Sequence, residues 1–146
     1  MKSSIKGFTL VEILIGLSLT AAIFLVATSL VVNVFYSNLK SKHKEVLAQV
    51  KNDLSTEFGN TVRWADSVSY ENDVLIVDSM NYRLDNGQIY RGELPLTPEE
   101  VEITKFSVSN FQSVIKMEVE MKIKNNPSIT DNLSLFLSIR SVSLLQ

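Results

Sequence analysis

The stretch from Phe8 to Phe35, FTLVEILIGLSLTAAIFLVATSLVVNVF, decides how the rest of the chain has to be read. Across these 28 residues the only ionisable side chain is Glu12, whereas every later stretch of similar length carries several charges. At ~1.5 Å per residue such a helix covers about 42 Å, against a bilayer hydrocarbon core of ~30 Å. The segment is long enough to cross a membrane with residues to spare. No proline interrupts residues 8–94, so nothing forces a kink. Thr9, Gly16, Ser18, Thr20, Ala21 and Ala22 are small and permit close helix–helix approach in a membrane, as they would also do in an unpaired anchor.

Outward from this run towards the amino terminus lies a short polar leader, Met1 to Gly7, with Lys2 and Lys6. A secretory signal peptide has an apolar core of roughly 7–15 residues and a small-residue cleavage site. This run is about twice that length and carries a carboxylate near its start. A plain membrane anchor accounts for length and hydropathy but not for Glu12, because a carboxylate within a membrane helix costs on the order of 2.5–3.5 kcal/mol on insertion scales. Glu12 could also sit near enough to the interface to snorkel.

Gly7-Phe8-Thr9-Leu10-Val11-Glu12, preceded by the basic leader and followed by the long apolar helix, resembles the cleavage and methylation motif of type IV prepilins and pseudopilins. In that family a membrane-embedded prepilin peptidase cuts on the cytoplasmic side after the glycine and methylates the new amino terminus. The resemblance therefore implies a scissile Gly7–Phe8 bond, N-methylation of Phe8, and an assembly role for Glu12. It implies as partners the prepilin peptidase, other pilin or pseudopilin subunits, an inner-membrane assembly platform, and membrane lipid before assembly. It also implies a single pass through the bacterial inner membrane, with a cytoplasmic amino terminus and an exported carboxy-terminal domain, before entry into a filament. Cleavage creates an ammonium group on Phe8, and pairing it with Glu12 of a neighbouring copy would offset the burial of both charges and fix axial register. Lys40, Lys42 and Lys44 beyond the apolar run outnumber Lys2 and Lys6 before it, so a bare count of positive charges opposes this orientation. The cleavage motif outweighs that count.

Helical periodicity continues past the apolar run. Leu39, Val46, Leu47, Val50, Leu54 and Phe58 keep spacings of three, four and seven, with Lys51, Asn52, Asp53 and Ser55 on other faces. His43 falls on the same stripe as a packing or edge residue. Gly59-Asn60 is the expected stop. The expected organisation is a leader at 1–7, a transmembrane or filament-core helix at 8–36, an amphipathic helix half at 37–60, and a β-sheet domain at 61–146.

Beyond residue 60 the period changes to two. Val74 to Val77 is a short apolar run, and Met80, Tyr82 and Leu84 alternate with Asn81 and Arg83. Asp85-Asn86-Gly87 signals a hairpin returning through Gln88 to Arg91. Thr97-Pro98-Glu99-Glu100 suggests a helical turn capped by Thr97. A strand through Ile103 to Val108 is followed by the clearest alternation in the chain: Ile115, Met117, Val119, Met121 and Ile123 against Lys116, Glu118, Glu120, Lys122 and Lys124. A turn at Asn125-Asn126-Pro127 leads to Leu133, Leu135, Leu137 and Ile139. The expected fold is α+β, with the long helix covering one face of an antiparallel sheet of about four to six strands. The order of these segments is similar to that of J-type minor pseudopilins of type II secretion and of minor pilins. Glu12 sets the chain apart from tip pseudopilins, which lack this glutamate.

Composition narrows the chemistry. The formal net charge is −2, and the segment 61–146 carries 8 basic and 12 acidic residues, so electrostatics opposes nucleic-acid binding by Arg63 and Trp64. No nucleophile elbow, phosphate loop or zinc spacing is present, which points away from an enzyme and from any cofactor. With no cysteine and a single histidine there is little material for a metal site, and Asp78, Asp85 and Asp131 lack calcium-loop spacing. The charges at 116–124 suit a solvated sheet face. The leading expectation is a minor pilin or pseudopilin acting as a structural filament subunit. The alternative is a membrane-anchored exported domain that binds or senses a ligand, with an uncleaved amino terminus.

Overall fold

A computed structural model describes residues 9–71, 73–111 and 114–138. The chain divides into two compact units, Met1–Ser41 and Lys42–Gln146. One helix, α1 (Leu10–Arg63), contributes to both.

In the first unit α1 has no side-chain cover among the described residues: Leu10, Leu14, Leu17, Phe24, Val31 and Phe35 are all more than 60% exposed. Leu39 belongs to this bare portion as well, at 43% exposure, and does not join the domain-facing stripe expected of it.

In the second unit the helix buries Leu47, Val50, Leu54, Phe58 and Val62, a stripe at spacings of three and four. The helix does not stop at Gly59-Asn60. Val62, fully buried, continues the stripe by one more turn, and that packing outweighs the roughly 1 kcal/mol by which an interior glycine disfavours helix.

Eight strands are present among the described residues, in two antiparallel sheets rather than the single sheet expected. The first is a meander of β1 (Val68–Glu71), β2 (Val74–Val77), β3 (Met80–Asp85), β4 (Gln88–Arg91) and β5 (Leu94–Pro95), in that spatial order. Its turns are tight. Asp85 pairs with Gln88 across Asn86 and Gly87, which adopt φ of 48° and 76°, the left-handed pair that a two-residue hairpin of right-twisted strands requires. Asp78 and Gly92, at φ 55° and 60°, open the β2–β3 and β4–β5 turns. The second sheet consists of β6 (Val101–Phe111), β7 (Val114–Ile123) and β8 (Asn126–Ser138), with β7 central.

The break between sheets falls at residues 96–100, and no helical turn forms there. Pro98 and Val101 instead close a β-turn, with Val101 N–H donating to the Pro98 carbonyl at 3.1 Å. Thr97 is buried and caps nothing; its Oγ1 accepts from the Ile89 amide at 3.1 Å, while its carbonyl accepts from Gln88 Nε2 at 2.7 Å. The Ile103 amide donates to the Gly87 carbonyl at 2.7 Å and ties the two sheets together. The last hairpin turns at Lys124-Asn125, one residue earlier than expected, so Asn126 and Pro127 already belong to β8. Pro127 is tolerated because β8 is an edge strand whose register shifts just after it. Ile139 lies outside the described residues.

Along β7, Ile115, Met117, Val119, Met121 and Ile123 are buried, as their alternation requires. Phe58 joins the layers: its ring meets Tyr82 of the first sheet edge-on at 5.2 Å and stacks with Phe106 of the second at 6.0 Å. One helix stripe therefore serves two sheets.

Candidate functional site

The described part of the apolar segment begins at Thr9, and its first turn is closed by a reciprocal pair of hydrogen bonds. The Glu12 amide donates to Thr9 Oγ1 at 3.3 Å, and the Thr9 amide donates to Glu12 Oε2 at 3.4 Å. This is a capping box: Thr9 is the N-cap and Glu12 the third helical residue, and the Glu12 amide shares its hydrogen between Thr9 Oγ1 and the Thr9 carbonyl at 3.1 Å. The carboxylate also sits at the positive end of the helix dipole. The spacing Thr-x-x-Glu at residues 9–12 is the sequence signature of this box.

The Thr9 amide belongs to the Phe8–Thr9 peptide bond, so a cut after Gly7 would leave the capping box chemically intact. Gly7 and Phe8 themselves lie outside the described residues.

Further along, three hydroxyls of the apolar segment bond back to the helix. Ser18 donates to the Ile15 carbonyl at 2.9 Å, Thr20 to Gly16 at 2.8 Å and Thr28 to Phe24 at 2.8 Å. Polar groups satisfied within the helix need no water, which is the condition for residing in lipid or among packed apolar helices. A Cβ on Gly16 would meet no atom within 4 Å, so nothing in this chain requires glycine there. The helix carries the one membrane-length apolar window found among the described residues, with mean hydropathy 2.4 and none of it buried.

Next comes a basic collar. Lys40, Lys42 and Lys44 are exposed, and none takes part in an ion pair among the described residues. His43 is half-buried, with Nδ1 shielded and without a hydrogen-bond partner.

The remaining polar candidates are engaged in the architecture. Asp78 Oδ1 accepts from the amides of Asp66 and Ser67, both at 2.9 Å, and Asp131 pairs with Lys51 at 3.3 Å. Asp85 sits exposed at the β3–β4 turn. These three aspartates are not brought together, and no group of three or more His, Asp or Glu in a metal-holding arrangement occurs among the described residues. The charges of 116–124 pair along the outer face of the second sheet: Lys116 with Glu118 at 2.6 Å, Lys105 with Glu118 at 3.2 Å, and Lys122 with Glu102 at 3.0 Å. Hydrogen bonds from Lys116 and Lys105 hold the Glu118 carboxyl below the usual glutamate range. Arg63 and Trp64 are exposed at the end of α1.

An α+β domain on a helix whose first half is bare, apolar and opened by a lone carboxylate is consistent with a pilin-like fold. Residues 2–28 match the family model described as the prokaryotic N-terminal methylation motif, a match that supports a type IV pilin-like reading of the amino-terminal segment. The motif supports a prepilin-processed protein, and together with the long apolar helix it suits a single-pass membrane anchor. No curated protein and no solved structure matches the chain.

Proposed function

We propose that this chain is a minor pilin or pseudopilin, a structural subunit of a type IV pilus-like filament. Prepilin peptidase cuts between Gly7 and Phe8 and methylates the Phe8 amine. The exported domain then leaves the membrane surface with its helix, which is drawn from lipid into a bundle of like helices at the inner-membrane assembly platform. The observation that carries this reading is the single carboxylate, Glu12, in the first turn of an apolar helix segment that its own chain leaves uncovered.

Within a bundle, Glu12 alone would be a charge removed from water. The Phe8 ammonium of an adjacent copy is a partner of opposite sign, and pairing offsets much of the cost for both. A wrong stagger strands the two charges, so the pair sets register. The absence of proline from the helix agrees with a minor rather than a major subunit.

Two measurements test this. Mass spectrometry of the purified protein is expected to find a chain beginning at N-methyl-Phe8. A chain that still begins at Met1 would instead favour an uncleaved, membrane-anchored binding or sensory domain. Replacing Gly7 with a bulky residue is expected to block processing and filament formation together; continued assembly would contradict the proposal.

A further inference from the structure

The domain carries a groove of about 600 Å³ between α1 and the segment that links the two sheets. Val46, Val50 and Leu96 give it an apolar floor, and Asp53, Glu99 and Glu100 supply its acidic rim. Among the described residues none of these three carboxylates takes part in an ion pair. The same chain holds the complementary charge in Lys44, which is exposed and likewise without an ion pair.

One copy does not join these groups on itself along the helix. At ~100° per residue, Lys44 lies roughly 140–180° around α1 from Val46, Gln49 and Asp53, which form the wall. Opposite faces of one helix are what a head-to-tail array of identical subunits uses, each copy offering one face to the copy before it and the other to the copy after.

We propose that the groove receives Lys44 of a second copy of this chain in the assembled filament. The inference rests on the filament reading above and specifies a contact between subunits outside the apolar bundle. Register supports it. If the Phe8 amine of one copy lies level with Glu12 of the next, adjacent parallel helices are staggered by four residues, about 6 Å at the helical rise. The same stagger sets Lys44 of the first copy level with residue 48 of the second, within the span from Val46 to Asp53 that walls the groove. An extended lysine reaches from there to the carboxylates of the rim, while its methylene stem lies on Val46, Val50 and Leu96.

The chain has no cysteine, so introduced thiols can be bridged without background. In cells producing the full-length double variant Lys44→Cys/Asp53→Cys, a bifunctional thiol reagent of about lysine length is expected to yield a ladder of chain multimers. The ladder should be lost in each single variant and when Glu12→Ala is added. Lys44→Glu is expected to cause loss of filaments, and Asp53→Lys/Glu99→Lys in the same chain to restore them. Filaments that form normally, give no ladder and tolerate Lys44→Glu would overturn the groove contact while leaving the filament reading standing. A crosslinked species containing another polypeptide instead of a second copy would overturn it as well. If the unaltered chain forms no filaments at all, both readings fall.

Discussion

Tyr82 on β3 and Glu57 on α1 are joined by an O–H···O bond of 2.9 Å, the phenol donating to Glu57 Oε1. Arg91 of β4 donates to that same oxygen, also at 2.9 Å. The pair is a polar clamp between the helix and the first sheet, placed beside the Phe58–Tyr82 ring contact. The phenol ring is wholly buried, so its hydroxyl needs this partner. Removing the hydroxyl with Tyr82→Phe is expected to cost about 1 kcal/mol, and Glu57→Ala about 1.5–3 kcal/mol, because the latter leaves a half-buried guanidinium without its carboxylate and the phenol with only Thr61 Oγ1, at 3.3 Å. Chaotrope unfolding of the domain measures both; a Glu57→Ala variant as stable as the parent would remove the clamp from the account.

The clamp makes the domain sensitive to alkali. Burial, followed by the hydrogen bond and negative charge of Glu57, pushes the Tyr82 phenol up from its usual value, outweighing the lowering effect of its bond with Thr61. Burial and then Asp73 push Tyr70 in the same direction. The folded state therefore holds these protons more tightly than the unfolded chain does. The associated stability is fully present below the ordinary tyrosine pKa of about 10, and is lost as pH rises through the higher folded values. Unfolding curves between pH 9 and 12 should fall, and Tyr82→Phe should flatten that fall; an unchanged slope would assign it to other groups.

Phe58 and Leu17 separate the two uses of α1. Phe58 is fully buried between both sheets, and Phe58→Ala is expected to destabilise the domain by about 3–5 kcal/mol. Leu17 is 72% exposed, so Leu17→Ala should leave domain unfolding unchanged while weakening association between copies. Thermal unfolding and filament yield, measured side by side, check the separation. A large loss of domain stability in Leu17→Ala would contradict it.

The Thr9–Glu12 capping box holds the start of the helix. Thr9→Val is expected to cost the first turn about 1 kcal/mol, whereas Thr9→Ser keeps the accepting oxygen and should cost little. Hydrogen exchange at the Glu12 amide, with the chain in detergent micelles, reads the difference directly. Equal protection in both variants would show that the hydroxyl contributes nothing.

Gly87 is fixed by two constraints at once. Its φ of 76° disfavours any side chain, and a Cβ there would stand 3.0 Å from Glu102 Cγ. Gly87→Ala is expected to destabilise the domain by about 1 kcal/mol or somewhat more, since Glu102 is partly exposed and its flexible chain can move aside. Denaturant midpoints of the two chains measure it.

What the sequence determined by itself is whatever depends on one chain's local pattern. The charge-free run with its single Glu12, the stripe from Leu47 to Phe58, the Asn86-Gly87 turn and the alternation along β7 are periodicities of 3.6 and 2 or local φ requirements, and these need no partner to be read. The tertiary structure alone decided which strands pair, and so divided the expected single sheet into two. Alternation tells which face of a strand is buried but says nothing of its neighbour. Long-range packing likewise carried α1 past Gly59 to bury Val62, and gave Thr97 a strand amide to satisfy in place of a helix to cap. The short strands β1 and β5 had no signal of their own, since four and two residues are too few to show a period. Their position comes from hydrogen bonds to β2 and β4, which form only once the chain has folded back on itself.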